Sequence, residues 1–261
     1  MTTLAEPTVG VLLRNWRERR RMSQLELAAR AEVSARHVSF VETGRSRPTR
    51  TMLLKLSDQL EIPLRERNSL LLAGGFAPAY PEHALGDVPM ASVSRAIGQI
   101  LHAHRSSPAV VVDRHWNLVD GNDAVALLVD GCAAHLLEPP VNVLRLSLHP
   151  DGMATRIGNL GQWRAHLLHR LDHQIAVTGD AELVALAAEL AGYPCGDPDV
   201  DMEPGALVVP IRIATAAGEL AFLSTTTVFG TPLDVTVAEL AIETFHPADE
   251  ATAEALRRHL G

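Results

Sequence analysis

The sequence has few of the features that mark a secreted, membrane-spanning or disulfide-stabilised protein. No apolar run approaches the ~20 residues of a membrane helix, and the first ten residues lack the basic start and apolar core of a signal peptide. The two cysteines, Cys132 and Cys195, lie far apart and form no ligand-spaced pair, so we expect free thiols in a reducing compartment. These absences predict a cytoplasmic protein with no membrane partner.

Signatures of catalysis are missing as well. The chain holds no phosphate loop, no dinucleotide glycine fingerprint, and no CxxC, HExxH or GxSxG motif. We therefore expect a protein that is not an enzyme and that needs no cofactor.

Charge is divided unevenly along the 261 residues. The formal net charge is −8, but residues 1–80 hold 13 Lys and Arg against 8 Asp and Glu, whereas residues 81–261 hold 10 against 23. A basic first part joined to an acidic remainder is expected when only the first part contacts phosphate. We predict two domains, over residues 1–76 and 90–261, joined by a linker over residues 77–89.

Residues 22–50 have the pattern of two short helices joined by a tight turn. Ser23 and Ser34 suit the N-caps of helices over 24–30 and 35–43, and Gly44 can adopt the positive φ that ends a helix. Further helices are predicted over 9–21, 49–60 and 63–73. The side chains expected to face inward from the first three helices are Val11, Leu12, Trp16, Leu25, Ala28, Ala29, Val38 and Val41.

This segment resembles the helix-turn-helix of the Cro and phage-repressor (XRE-type) regulators over about residues 9–76. The matching positions are Ser23-Gln24, Leu27-Ala28, Val33-Ser34 and Glu42-x-Gly44-x-x-x-Pro48. The resemblance implies an all-α, five-helix domain that binds double-stranded operator DNA as half of a homodimer, with half-sites about 10 bp apart. A helical module that binds protein is the alternative, but nothing structural requires so many arginines in and beside the motif.

Particular residues of this motif are expected to contact DNA. A helix N-terminus and a basic loop approach the phosphates in this fold, which points to Gln24, Arg45 and Arg47. Arg36 is the strongest candidate for reading a base, because a guanidinium can bond O6 and N7 of guanine together. The full predicted set is Gln24, Ser34, Ala35, Arg36, His37, Ser39, Arg45 and Arg47.

The rest of the chain mixes strand and helix patterns. Strands are predicted over 109–113, 116–119, 206–215, 219–229 and 235–245, and helices over 92–104, 122–129, 159–177, 181–191 and 249–260. Residues 130–158 show no clear pattern. This order predicts an α+β domain, an antiparallel sheet with helices on one face, as in PAS-like sensor domains.

Residues 90–260 are also similar to the MmyB-like ligand-binding domain that often follows an XRE-type head. The matching positions are Pro108 to Asp113, Trp116 and Asn122, Asn142-x-Leu144-Arg145, the helix with Trp163, and Pro247 followed by Glu254-Ala255-Leu256. The resemblance implies a transcription regulator whose second domain binds a small molecule.

A sheet with one face under helices commonly leaves a cavity, so we expect a small, largely apolar, fatty-acid-like ligand between the strand around Phe222 and the helix carrying Trp163. The side-chain alternation of that strand does not decide which face is inside. Asn122, Arg145 and Arg170 are candidates for holding a polar head, since an arginine suits a carboxylate. The full predicted set is Trp116, Asn122, Leu127, Leu144, Arg145, Trp163, Arg170 and Phe222.

Three histidines, His166, His169 and His173, fall on the predicted helix 159–177. At 100° per residue they point away from its apolar stripe, so a solvated or subunit-facing set is favoured. That stripe consists of Leu160, Trp163, Leu167, Leu171 and Ile175. Two alternatives stay open: a haem or metal sensor that uses these histidines, and a dimerisation or protein-interaction module without a ligand.

Overall fold

The computed structural model describes residues 7–195, 208–216 and 218–260 of the protein. The chain divides into two compact units. The first contains the chain up to His83 together with Thr231–Ala238, and the second contains Ala84–Gly230 and Glu239–Gly261. The start of the predicted strand 206–215 lies outside the described residues.

The N-terminal domain is built of helices α1 (Val9–Arg19), α2 (Gln24–Arg30), α3 (Ala35–Glu42), α4 (Arg50–Gln59) and α5 (Leu64–Ala73). The first four each begin at a hydroxyl side chain that accepts a backbone N–H of the first turn; the capping residues are Thr8, Ser23, Ser34 and Thr49. Gly44, just beyond α3, has φ 72°. Local capping therefore sets the helix starts, and the predicted all-α, five-helix domain is confirmed.

The core of this domain differs in part from the predicted faces. Trp16, Ala28, Val38 and Val41 are buried as expected. The prediction was wrong for Val11 and Leu25, which are 45% and 71% exposed, and for Ala29, which is also exposed. Leu13 and Leu27, both fully buried, take those inward positions. A helix of two turns, such as α2, has too few apolar residues for its own period to fix the inward face, so the neighbouring helices decide it.

The C-terminal domain contains one antiparallel sheet of five strands in the described part of the chain. The strands are β1 (Ala109–Val112), β2 (Leu118–Gly121), β3 (Ile211–Thr215), β4 (Gly218–Val228) and β5 (Ala241–Pro247), in the order β2-β1-β5-β4-β3. The connection between β2 and β3 carries α7 (Ala126–Val129), α8 (Val143–Leu148), α9 (Leu160–Thr178) and α10 (Ala181–Ala191). The predicted α+β domain with an antiparallel sheet is confirmed.

Three further helices complete the described elements: α6 (Ala91–Ala103), α11 (Val235–Glu239) and α12 (Glu250–Leu260). Short 3-10 helices lie at Val88–Met90, Asp123–Val125, Ala134–Leu136 and Ala154–Arg156. Among the helices described, none is both long and apolar enough to cross a bilayer.

The two faces of β1 belong to different cores. Val110 and Val112 join the large apolar cluster formed with α8, α9 and α10. Ala109 and Val111 face the other way and pack with Ile97 of α6. The helices between β2 and β3 thus cover one face of the sheet, and α6 covers the opposite face beside β1, so the helices are not confined to the single face that was predicted. Phe222 of β4 is fully buried in the large cluster. The face of β4 that carries Phe222 therefore points inward, which the side-chain alternation in the sequence did not decide.

One predicted strand was wrong at its start. Residues 235–239 form α11, and β5 begins only at Ala241. The carboxylate of Asp234 accepts the backbone N–H groups of Thr236 and Val237, which stabilises a helical turn in spite of the β-branched valines. A propensity for strand is therefore overridden by a local cap.

Candidate functional site: a helix-turn-helix surface and an apolar cavity

Helix α3 carries the side chains predicted to read bases. Arg36 is exposed, and its guanidinium lies 5.1 Å from the ring centroid of Phe40. Ala35, His37 and Ser39 are half-buried. The Ser34 hydroxyl accepts the His37 backbone N–H at 3.1 Å, so Ser34 is the N-cap of the helix. Arg36 has the longest side chain of this set and is exposed.

The loop after α3 presents Arg45 and Arg47 to solvent. Neither of these arginines forms an ion pair with any residue in the described ranges, and the same holds for Arg36. Cations without protein carboxylate partners are available to neutralise DNA phosphates. The charges of the three predicted arginines are thus not neutralised by a carboxylate of the described chain, although Arg36 lies over the ring of Phe40.

Gln24, the remaining predicted phosphate contact, belongs to a buried network around Glu42. Its Nε2 donates to Glu42 Oε2 at 2.8 Å, and Arg17 donates to both carboxylate oxygens at 2.7 and 2.9 Å. Arg14 adds an ion pair at 3.5 Å. Burial raises the pKa of Glu42, but the hydrogen bonds from Arg17 and Gln24 outweigh burial and leave it below its usual value. The network joins α1, α2 and α3.

The backbones of α1 and α3 also touch closely. A Cβ built on Gly10 would lie 2.4 Å from the carbonyl oxygen of Val41, so a glycine is required at this crossing. Glu42 is a position of the helix-turn-helix motif for which the sequence predicts no role. A lone acidic residue on the inward side of a predicted helix was the available signal that it is paired in the core.

In the C-terminal domain, a cavity of about 230 Å³ lies between the sheet and the helices α7, α8 and α9. Trp116, Leu144, Trp163 and Arg170, four of the predicted ligand-binding residues, line it. Other apolar lining residues were not predicted from the sequence; these include Val125, Leu128, Val143, Met153, Leu167 and Phe245.

Two predicted apolar contacts lie outside this lining in the described chain. Leu127 packs against the edge of the core, and its neighbour Leu128 faces the cavity instead. Phe222 is fully buried, and its ring packs edge-on against Phe245, which does line the cavity. Neither position could be assigned from the sequence, because a one-residue step along a short helix or a strand changes the face.

Two predicted polar contacts are committed elsewhere. The Asn122 carboxamide accepts the Ala109 N–H at 3.1 Å and donates to the carbonyls of His104 and Ser107, both at 2.9 Å, so it ties the end of α6 to β1. Arg145 donates to both carboxylate oxygens of Glu189 at 2.6 and 2.8 Å. Neither side chain lines the cavity.

The two tryptophans of the lining are held by their indole N–H groups. Trp116 Nε1 donates to Gln174 at 2.8 Å, and Trp163 Nε1 donates to the Ser147 hydroxyl at 3.0 Å. The backbone of Trp116 has φ 67°, a left-handed conformation that costs a bulky residue about 1–2 kcal/mol. It is fixed by Asp113, whose carboxylate accepts the N–H of Asn117 at 2.9 Å. The strained backbone conformation of Trp116 thus accompanies the placement of its indole in the cavity wall.

An ion pair stands at the polar part of the wall. Arg170 donates to Glu243 at 2.7 and 3.3 Å and to the Thr226 hydroxyl at 3.0 Å. Thr226 also donates to Glu243 at 2.7 Å. The guanidinium lies 4.9 Å from the ring centroid of Trp116. Both Arg170 and Glu243 border the cavity.

The three histidines of α9 are not equivalent. His169 and His173 are exposed as expected, whereas His166 is half-buried and stacks on Trp163. Burial and the nearby Arg170 lower the pKa of His166. In the described chain, the group whose ligand atoms lie close enough to share an ion is a different one: His135, His149 and Asp151, within 4.8 Å of one another. Cys132 and Cys195 are free thiols.

Comparisons with known proteins agree with this division. Residues 13–67 match a helix-turn-helix family, and residues 93–258 match the MmyB-like transcription regulator ligand binding domain. The class is therefore that of DNA-binding transcription regulators with a ligand-binding domain. The chain belongs to the family with the MmyB-like ligand-binding domain, whose match covers more than half of its length.

Other comparisons add little to this assignment. No curated protein matches the chain significantly. A solved structure described as an RNA-binding Light-Oxygen-Voltage receptor is similar at 14% identity and a TM-score of 0.29, over 97% of this chain and 60% of that one. The chain thus spans about 60% of the length of that receptor.

Proposed function

We propose that the protein is a cytoplasmic, homodimeric transcription regulator that binds a specific operator through α3 and the following loop, and that a small, largely apolar ligand of the fatty-acyl kind alters this binding. The observation that carries the proposal is the apolar cavity between the sheet and α9 in a chain with an XRE-type head. Such a cavity, with a few polar groups, is the usual form of a small-molecule site.

The walls favour an apolar occupant for a simple reason. An apolar cavity gains no hydrogen bonds from water, whereas transfer of apolar surface into it stabilises the complex by about 25 cal/mol per Å². A ligand can change operator affinity only if it binds two states of the protein unequally. The lining comes from the sheet and from α7, α8 and α9, so occupation of the cavity acts on several elements together.

A matched pair of variants tests the ligand. Val125 lines the cavity and Leu127, two residues on, does not. We therefore expect the ring of Val125→Phe to fill part of the cavity and the ring of Leu127→Phe to leave it open. We expect an eight-carbon acyl probe to raise the melting temperature of the wild type and of Leu127→Phe, and to change their operator affinity, but to leave Val125→Phe unaffected. If organic extracts of the purified protein hold no apolar molecule and the eight-carbon acyl probe does not bind, the dimerisation module without a ligand replaces the proposal.

A second set of variants tests the DNA-binding surface. Arg36→Ala should relax the preference at one base position per half-site, by about 1–3 kcal/mol of discrimination. Arg45→Ala and Arg47→Ala should weaken binding to specific and random DNA alike, and should reduce the salt slope by about one unit per contact. Arg30→Ala is the control, because Arg30 is paired with Glu26 on α2. Unchanged consensus and salt slope in the first three variants would contradict this surface.

A further inference from the structure

The charged groups around the cavity point to a particular kind of ligand head. In the described part of the chain, the charged residues that line it are Arg170 and Glu243, which form an ion pair with each other. Ser147, also in the lining, has its hydroxyl oxygen engaged by Trp163. The polar part of the wall therefore has no net charge to offer a ligand.

Glu243 is held firmly in this arrangement. Its side chain is only 5% exposed, and its two oxygens accept three hydrogen bonds from Arg170 and Thr226. It lies on β5 opposite Thr226 of β4 in the strand register. To move the carboxylate away from Arg170 would leave a buried charge unpaired, which costs several kcal/mol. A ligand carboxylate would thus meet the negative charge of Glu243 beside the guanidinium, and like charges repel in such a site.

Arg170 still has hydrogen-bonding capacity. A guanidinium carries five N–H donors, and three are used by Glu243 and Thr226. The remaining donors can bond a neutral oxygen acceptor without disturbing the pair. A carbonyl oxygen of an ester, amide or lactone is such an acceptor, and it brings no charge into the low-dielectric wall.

We infer that the ligand of this cavity is an uncharged acyl derivative, whose neutral carbonyl oxygen accepts a hydrogen bond from Arg170, and that Glu243 selects against free carboxylic acids. The inference rests on the apolar-ligand function proposed above and narrows it from acyl compounds in general to neutral ones. It also replaces the expectation that an arginine here serves to bind a carboxylate, because the pairing of Arg170 with Glu243 cancels that charge.

The test compares probes with the same eight-carbon chain and different heads: octanamide, methyl octanoate and octanoate, titrated into the full-length protein by calorimetry at neutral pH. We expect the amide and the ester to bind at least ten-fold more tightly than the acid. In Glu243→Gln, Arg170 is left without its counter-charge, so affinity for octanoate should rise at least ten-fold while affinity for the amide changes little. Glu189→Gln removes the carboxylate of the other arginine pair, outside the cavity, and should leave the preference unchanged.

The outcomes separate this inference from the function on which it rests. If octanoate binds the wild type as tightly as the amide does, the neutral-head inference is overturned, and the proposed acyl-binding function stands. If none of the three probes binds, both fail. The wild-type comparison decides the preference for a neutral head even if Glu243→Gln does not fold. An unchanged affinity for octanoate in a folded Glu243→Gln would overturn the selection by Glu243.

Discussion

Two Arg–Glu pairs with buried carboxylates, one in each domain, share their chemistry but differ in what surrounds them. Glu42 of the N-terminal domain is fully buried and receives hydrogen bonds from Arg17 and Gln24. Arg170 of the C-terminal domain is 25% exposed, and its pair with Glu243 borders a cavity. In the first pair, Arg17 bonds both Glu42 and the Met22 carbonyl, so its donors are used within the domain and hold three helices together. The second keeps unused donors, so it can take part in recognition.

The largest expected effect comes from breaking the pair of the N-terminal domain. Glu42→Ala leaves Arg17 buried without its carboxylate, and we expect a loss of about 3–5 kcal/mol in unfolding free energy. Urea unfolding, with hydrogen exchange of peptides from α1 and α3, measures it. Glu18→Gln is the control, because Glu18 is an exposed partner of the same arginine, 59% accessible; it should cost less than 0.5 kcal/mol. Equal losses in the two variants would show that burial of the pair does not matter.

The corresponding change in the C-terminal domain should be milder. In Glu243→Ala, Arg170 retains Thr226, the face of Trp116 and access to the cavity. We expect a loss of about 1–2 kcal/mol, measured in the same way on the ligand-free protein. A loss as large as that of Glu42→Ala would mean that the two pairs are equally structural, and would remove the contrast between them.

Gln24 tests whether the network of the first pair extends to DNA binding. Gln24→Ala removes one hydrogen bond to Glu42 and should cost about 1 kcal/mol of stability. If the carboxamide also contacts a phosphate, operator affinity measured at a temperature far below unfolding should fall further than stability explains. An operator affinity equal to that of the wild type would assign Gln24 to positioning alone.

The smallest expected effect concerns a third, more exposed pair. The hydrogen bond from Arg145, opposed by burial, lowers the pKa of Glu189 from 4.5 to about 2. A carboxyl group whose folded pKa is depressed stabilises the fold above its unfolded pKa, and this contribution is lost as pH falls from about 4.5 to 2. Glu189→Gln should therefore show a flatter decline of melting temperature over this range than Glu138→Gln, an exposed control. If the melting temperatures of the two variants declined in parallel as pH falls, the pairing of Glu189 with Arg145 would be contradicted.

Much of the architecture could be predicted from the sequence because it depends on local signals, such as helix caps and the spacing of apolar residues. The predicted caps Ser23 and Ser34 fix helix starts, and the stripe that includes Trp163, Leu167 and Leu171 is buried as its spacing predicts. These features depend on a few neighbouring residues, so a single chain suffices to read them.

The site was less accessible because its polar members are defined by distant partners. Arg145 and Arg170 look alike in the sequence, yet one is paired outside the cavity with Glu189 and the other borders it. Asn122 matches a family position but bonds the backbone of residues that precede it by many positions. Which arginine faces a cavity is decided by tertiary packing, and no local pattern records that decision.

The placement of the tryptophans has a practical consequence. Of the three in the chain, Trp116 and Trp163 line the cavity, while Trp16 lies in the core of the N-terminal domain. Indole emission shifts with the polarity of its surroundings, so entry of a molecule into the cavity should alter the intrinsic fluorescence of two fluorophores and leave the third as an internal reference. The protein thus carries its own optical reporter of cavity occupancy, and needs no attached dye.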